Sequence, residues 1–339
     1  MKGSENFLLP TVTGRFAAEL ALLAQRRARG AALVGTPAAF ALAVLSGLLY
    51  AATFPPLSWS VAAWVALVPL LVACASLPPG RAALAGMGWT AAMGVGAASF
   101  LPGMLSSYFG LATGPSWLAS LAIGGLYGLY VSAYAAWVAW LVRRRAAHPM
   151  LLAGGWLVCE FARAQGLLGP WALAAYSQLP STVLVQMADL AGPYGIGMLI
   201  AAVNAGFAAL LVPALRGRRP WRSAALIAAI LAGALIYGQW RLGQSFAGGA
   251  SVQVAVVQGG AATSAEPAAR AARLARYVGL TNSGAHAKAG LIVWPEYALE
   301  TYLDEASSGR DTVLRLAGES RANLILGGPH YARSAAGTR

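Results

Sequence analysis

Pro149 to Leu168 reads PMLLAGGWLVCEFARAQGLL, and whether these 20 residues cross a membrane decides the architecture of the whole chain. A bilayer core ~30 Å thick needs roughly 20 apolar residues of helix. The segment has the length, but it carries Glu160 and Arg163. A charge at mid-bilayer costs roughly 2.5–3.5 kcal/mol on insertion scales, so such residues usually face a partner or a cavity. Taken alone, the segment is ambiguous.

Its surroundings are not. The chain has 339 residues, 58% hydrophobic and only 10% charged, against about 25% charged in a soluble globular domain. Between Ala31 and Ala250 the only acidic residues are Glu160 and Asp189. An ordinary soluble protein, a disordered chain and a disulfide scaffold are excluded. A polytopic membrane protein with a more polar C-terminal piece remains. Ala31–Thr53, Leu57–Leu77, Ala82–Leu111, Ser116–Val142, Leu190–Leu215 and Ser223–Trp240 each reach or approach spanning length. Ala31–Thr53 holds 23 uncharged residues, too long for a cleaved signal peptide, and reads as a retained span.

Basic residues then decide the ambiguous segment, because short cytoplasmic loops carry an excess of Lys and Arg. With seven spans and the N-terminus inside, the inside segments hold thirteen: Lys2, Arg15, Arg26, Arg27, Arg29, Arg81, Arg143, Arg144, Arg145, Arg216, Arg218, Arg219 and Arg222. The outside segments before residue 250 hold only Arg163 and Arg241. If 149–168 did not cross, Arg216–Arg222 would be left outside. The segment is expected to cross, which puts everything after Trp240 outside the cytoplasm. The formal charge of +13 follows from cationic loops that punctuate apolar runs, so nucleic acid is not an expected partner. Cys74 and Cys159 lie inside apolar runs and read as small buried residues, with no metal-ligand spacing and no disulfide framework.

After Gly248-Gly249 the pattern changes. Ser251–Gln258 (SVQVAVVQ) alternates and is β-branched, Gly290–Trp294 (GLIVW) is a short buried strand, and Asn323–Gly327 (NLILG) is a third. Ala265 to Asn282 and Asp311–Arg321 have helical spacing between them. Strand and helix in alternation indicate α/β construction. The remainder, Ala332–Arg339, reads as a polar tail.

Several residues could carry chemistry. Glu160 and Arg163, at i and i+3, share one helix face. They admit two readings: a self-neutralising pair near the outer helix end, or a polar lining for a headgroup or substrate. Asp189 precedes Gly192-Pro193-Tyr194-Gly195, a turn signature, and is expected at the interface. Pro55-Pro56, and Gly169-Pro170-Trp171 ahead of Tyr176 and Gln178, mark outer loops whose aromatic residues suit anchoring. Trp294-Pro295-Glu296 is sharper. A carboxylate directly after a buried strand emerges at the sheet edge, where α/β proteins place ligand sites. Trp294 and Tyr297 are expected to desolvate it, a condition under which Glu serves as general acid or base.

Taken together these residues resemble the bacterial apolipoprotein N-acyltransferase family, which joins a membrane bundle to a nitrilase-like (carbon-nitrogen hydrolase) domain. The similarity runs from Ala31 to Tyr331. It is carried in order by Phe54-Pro55-Pro56, Val68-Pro69-Leu70, Glu160-x-x-Arg163, Gly169-Pro170-Trp171 through Tyr176-Ser177-Gln178, Val257-Gln258-Gly259, Trp294-Pro295-Glu296 and Ile325-Leu326-Gly327-Gly328. The resemblance implies a polytopic α-helical membrane bundle of about seven spans followed by a partial nitrilase-like α/β sandwich. Residues 1–30 are then a cytoplasmic segment, 31–245 the transmembrane domain, and 251–339 an extracytoplasmic partial nitrilase-like domain. It further implies two-step acyl transfer at the bacterial inner membrane. A Cys thiolate takes an acyl chain from phospholipid, and the α-amine of a diacylglyceryl-Cys lipoprotein takes it from the thioester. No cofactor and no metal are implied.

The family triad is Glu, Lys and Cys, and Glu296 matches its Glu. Glu160, Arg163, Gly169, Trp171, Tyr176 and Gln178 are expected to line the lipid or substrate path. The other two triad members have no match. No Cys follows Cys159, and Lys288 precedes Glu296. The family pattern also has one more residue between Gly169 and Pro170. The expectation is therefore the membrane part plus the first portion of the catalytic domain, from a truncated gene product. Other readings are a non-catalytic membrane scaffold that binds lipid or lipoprotein, and a transporter built around Glu160 and Asp189. The last is thinly supported without repeat symmetry.

Overall fold

A computed structural model describes residues 34–166, 169–217, 219–244, 248–249, 251–260, 267–283, 289–296, 298–299, 303, 307–329, 333–334 and 337–338. The N-terminal segment 1–30, Arg218, Lys288, Tyr297 and Tyr331 lie outside them. Contacts divide the chain into two units, one helical and ending at Gln244, the other holding the sheet.

The helical unit contains α1 (Thr36–Ala52), α2 (Val68–Ser76), α3 (Pro79–Ala97), α4 (Leu101–Phe109), α5 (Thr113–Arg143), α6 (Pro149–Gln165), the single turn α7 (Thr182–Val185), α8 (Ala188–Leu211) and α9 (Pro220–Leu242). The end of α4 groups with the other unit. Among the described residues α5, α8 and α9 are long and apolar enough to cross a membrane, and α3 with α4 makes a fourth if the bent pair is one span. Thr36–Ala52 and Ser60–Ser76 are apolar but shorter.

Two segments expected to be continuous helices are broken. Ala82–Leu111 breaks between Ala97 and Leu101, where Gly94 and Gly96 weaken the helix and Pro102 disfavours helical backbone at the preceding residue. Leu57–Leu77 splits into a 3₁₀ turn (Ser60–Trp64) and α2, whose first turn contains Pro69. The backbone groups freed at this second break are collected by side chains. Asn204 Oδ1 accepts from the Leu67 amide at 2.8 Å, and its Nδ2 donates to the Ala63 carbonyl at 2.8 Å. Ser46 donates to the Ala66 carbonyl at 2.5 Å and accepts from the Trp89 indole at 3.0 Å. Non-helical backbone survives in an apolar bundle only where protein satisfies it in this way. A third irregularity matches the expected turn: Gly192 takes φ 59° just before Pro193, within the first turns of α8.

Small residues let the helices approach. A Cβ on Gly86 of α3 would sit 2.8 Å from the Ser132 Cα of α5, and one on Gly47 of α1 would collide with the Trp89 carbonyl. Such close contact supplies the dispersion energy that drives helix association when no water is released. The same contacts sort the helix ends. Arg81 reaches Thr36 Oγ1, and Gly217 abuts His148, so the loops carrying Arg143–Arg145 and Arg216–Arg222 share one end. Tyr50 reaches Ala172, and Arg241 pairs with Asp189, at the opposite end.

In the second unit β1 (Val254–Val256), β2 (Leu291–Val293) and β3 (Asn323–Ile325) form a parallel sheet in the order 1-2-3, with Ala255, Ile292 and Leu324 in register. The connections contain α10 (Pro267–Asn282) and α11 (Ser308–Ser320), as expected of α/β chain. Within the tail expected to be merely polar, β4 (Arg333–Ser334) pairs antiparallel with β5 (Gly337–Thr338). The core gathers Ala255, Ile292, Trp294, Tyr277, Val313 and Leu316.

Asn204→Leu should lower bundle stability by on the order of 1–3 kcal/mol, because it strands a buried amide and a buried carbonyl together. Thermal unfolding in detergent is the measurement. A melting temperature equal to that of the parent protein would show that the break does not depend on this amide.

Candidate functional site

Glu160 and Arg163 lie one helical turn apart near the C-terminal end of α6, and both are buried. Their partners are backbone groups of the following loop. Glu160 Oε1 accepts from the Ala174 amide at 2.7 Å and from the Tyr50 hydroxyl at 3.2 Å. Arg163 Nη2 donates to the Ala172 carbonyl at 3.2 Å, an oxygen that Tyr50 also approaches at 2.9 Å. The two charges are 4.0 Å apart, and the guanidinium lies 4.9 Å from the Tyr127 ring centroid. Tyr127 itself donates to the Gly169 carbonyl at 2.9 Å. Helices α1, α5 and α6 thus grip one loop through its backbone, while the second carboxylate oxygen of Glu160, Oε2, is buried with no hydrogen-bond partner.

The loop is shaped to be gripped. Gly169 and Ala172 take positive φ, 70° and 47°. Glycine adopts that region freely, while Ala172 is held in it at some cost. Buried Gln178 closes the far side, donating to the Ser60 carbonyl at 2.9 Å and accepting from the Trp64 indole at 3.3 Å. Between these anchors Trp171 is 43% exposed and stacks on Phe100 with ring centroids 5.4 Å apart. Tyr176 is 37% exposed. The structure brings all six expected lining residues onto one strapped loop and its clamp, with the polar side chains turned in and the aromatic ones partly out.

Glu296 is in the other unit. It follows β2 at the C-terminal edge of the parallel sheet, in a turn closed by the Ala298 amide on the Pro295 carbonyl at 3.1 Å. The Leu299 amide then donates to the Gly327 carbonyl at 3.2 Å, tying this turn to the chain leaving β3. Glu296 is exposed. The desolvation expected from Trp294 is not seen, because that indole turns into the core. It is 2% exposed, stacks on Tyr277 at 5.0 Å and donates to Thr281 Oγ1 at 3.1 Å. Trp294 continues the buried face of Ile292, two residues before it, and the turn that begins at Pro295 takes Glu296 off that face. Gly259 is needed here for close packing, since a Cβ would lie 2.6 Å from the Tyr277 ring.

Sequence reasoning missed Tyr50 and Tyr127, which complete the clamp, and Asn204, which repairs the helix break. Asn204 did leave a signal, being a lone amide in the apolar stretch of α8. The tyrosines left none, because an aromatic residue in a span also serves as an ordinary anchor. Among the described residues no group of three or more His, Cys, Asp or Glu comes together as a metal site. The clamp makes a direct prediction. Glu160→Ala leaves Arg163 buried without its carboxylate, a change costing about 3–5 kcal/mol where the site cannot rehydrate. Amide hydrogen exchange over 170–178 should rise at least tenfold, an order-of-magnitude expectation from local opening. Unchanged protection of that loop would remove the clamp.

Residues 46–206 match the family model of the apolipoprotein N-acyltransferase N-terminal domain. The apolipoprotein N-acyltransferase of Geobacter metallireducens is 31% identical over 311 residues, which is 86% of this chain and 57% of that protein. Its counterpart in Gloeobacter violaceus is 32% identical over 271 residues, covering 76% and 50%. The Pseudomonas putida protein of the same name is 33% identical over 205 residues, covering 57% and 38%. The chain spans about half the length of these curated relatives. Through the clamp and its loop, and on into the sheet, this chain resembles the apolipoprotein N-acyltransferase family.

Proposed function

We propose that this chain supplies the membrane domain and the glutamate-bearing part of the catalytic domain of an apolipoprotein N-acyltransferase. The observation that carries the reading is Glu296, exposed at the C-terminal edge of a parallel sheet, in a chain whose helical bundle matches the family's N-terminal domain. In this reading residues 1–30 are cytoplasmic, 31–245 cross the bacterial inner membrane seven times, and 251–339 begin an extracytoplasmic nitrilase-like sandwich. The sorting of helix ends supports it. Every described arginine of the loops expected inside lies at one end of the bundle, and Arg163 and Arg241 lie at the other.

Glu296 is assigned the role of general base. Its carboxylate takes the proton of a Cys thiol, and the thiolate attacks an acyl ester of phospholipid. The lysophospholipid oxygen leaves with a proton, and a thioester remains. The α-amine of a diacylglyceryl-Cys lipoprotein then attacks the thioester, forming the amide and restoring the thiol. The Lys and the Cys of this triad have no counterpart among the 339 residues, whose two cysteines are both buried in the bundle. A second reading is a scaffold that binds diacylated lipoprotein or phospholipid without chemistry.

A chimera separates them. Residues 1–331 are joined to the corresponding C-terminal part of the Geobacter metallireducens relative, and acyl-enzyme is followed by mass. The chimera should form the thioester, and Glu296→Gln should slow its formation by about 10²–10⁴-fold, the usual worth of a general base. Thioester formation at the parent rate in the Gln variant refutes the role. A chimera that binds diacylated lipopeptide and never gains the mass of an acyl chain leaves the scaffold. Independently, alkaline phosphatase fused after Arg339 should be active, because its disulfides form only outside the cytoplasm; an expressed but inactive fusion, with a green fluorescent protein fusion at the same site bright, sinks the orientation.

A further inference from the structure

The basic loops do more than alternate along the sequence, because two of them meet in space. The α5–α6 loop turns on Arg145 with φ 54°, and the α8–α9 loop turns on Gly217 with φ 68°. A Cβ on Gly217 would lie 2.8 Å from the His148 Cβ, so the two turns are in contact. They present Arg143, Arg144, Arg145, Arg219 and Arg222 exposed at one end of the bundle. Arg216 is set apart from this group. It donates to the Ala209 and Leu210 carbonyls at 2.8 and 3.0 Å and so caps α8.

Among the described residues of this unit nothing acidic faces the others. Glu160 and Asp189 are the only acids between Ala31 and Ala250, and both are paired at the opposite end of the bundle. The depth of the patch is marked by two exposed indoles. The Arg144 guanidinium lies 5.6 Å from the Trp140 ring centroid, and that of Arg222 lies 5.3 Å from Trp221. Trp at the end of an apolar helix sits at headgroup level. Guanidinium groups held beside it are at the height of lipid phosphates and match their geometry.

We propose that this end of the bundle is a binding surface for anionic phospholipid headgroups of the leaflet it faces, with Arg144, Arg145, Arg219 and Arg222 as the contacts. Arginines that only direct insertion into the membrane have no reason to prefer one lipid once the protein is folded. A headgroup surface does. Each basic residue near an anionic membrane is worth about fivefold in affinity, so four of them predict a preference that a single substitution does not erase.

The test uses the purified 339-residue chain in mixed micelles of dioleoylphosphatidylglycerol and dioleoylphosphatidylcholine, with bound lipid counted by native mass spectrometry. The parent protein should retain phosphatidylglycerol over phosphatidylcholine by at least about tenfold. The variant R144Q/R145Q/R219Q/R222Q should lose that preference, and R276Q, on the exposed face of α10, should keep it. In the parent protein the preference should also collapse between low and high salt, which needs no variant to fold. Equal retention of the two lipids, or an unchanged preference in the quadruple variant, overturns the proposal. Displacement of the lipid by millimolar inorganic phosphate reassigns the arginines to a free anion and overturns it too. Acyl transfer enters none of these readouts, so the outcome is independent of the role of Glu296.

Discussion

An amide or carbonyl left open inside an apolar bundle costs several kcal/mol, because no water can reach it. That single constraint organises the helical unit. Its polypeptide departs from helix in two buried places, at Ala63–Leu67 and at Gly169–Gln178, and both are met by side chains sent from other helices. Asn204 and Ser46 serve the first. Glu160, Arg163, Tyr50, Tyr127 and Gln178 serve the second. Tyr50, Tyr127, Gln178 and Asn204 are distant in sequence from the backbone they serve, so the irregular segments also fix how the helices are arranged. Removing one such side chain strands groups on two elements at once.

This constraint changes what the charged pair in α6 means. Glu160 and Arg163 divide their hydrogen bonds between neighbouring peptide units of one loop instead of joining each other closely. Burying two charges is expensive, and their mutual attraction rarely compensates in full. Here the expense is offset by backbone groups that need strong partners. The result is a rigid loop whose exposed element is the aromatic pair of Trp171 and Phe100. A loop tightly held from within and apolar on its outer side is suited to shaping what lipid meets it.

How much of this was legible in the sequence depends on the range of the interaction. Charge counting around 149–168 anticipated that the described basic loops gather at one end of the bundle, because the bias acts on whole loops and ignores detail. The three strands were legible from short β-branched runs, and so was the place of Glu296, because a residue directly after a buried strand has one edge to emerge from. Hydropathy could not reveal the break at Ala63–Leu67. An average over a window responds to side chains, and the broken segment is as apolar as a helix. The gap between α3 and α4 had a local cause in Pro102, overlooked inside a long apolar run. The turn of Trp294 into the core was legible in principle, since it continues the buried face of Ile292 two residues earlier, and proximity in sequence to Glu296 suggested the contrary.

The two ends of the bundle follow opposite electrostatic rules, and the difference has a physical origin. At one end each charge is matched: Glu160 with Arg163 and backbone, Asp189 with Arg241. At the other, arginines crowd on adjoining turns with no acid near them among the described residues of the unit. Like charges at such separations repel, and a fold in water would relieve the strain with interspersed acids. A membrane face offers another solution, because a sheet of phosphates is itself the missing counter-charge. If that surface is as proposed, the bilayer supplies electrostatic balance for these described arginines as well as an apolar solvent. The protein's stability in neutral detergent should then be lower than in the membrane for a reason that has nothing to do with the hydrophobic match.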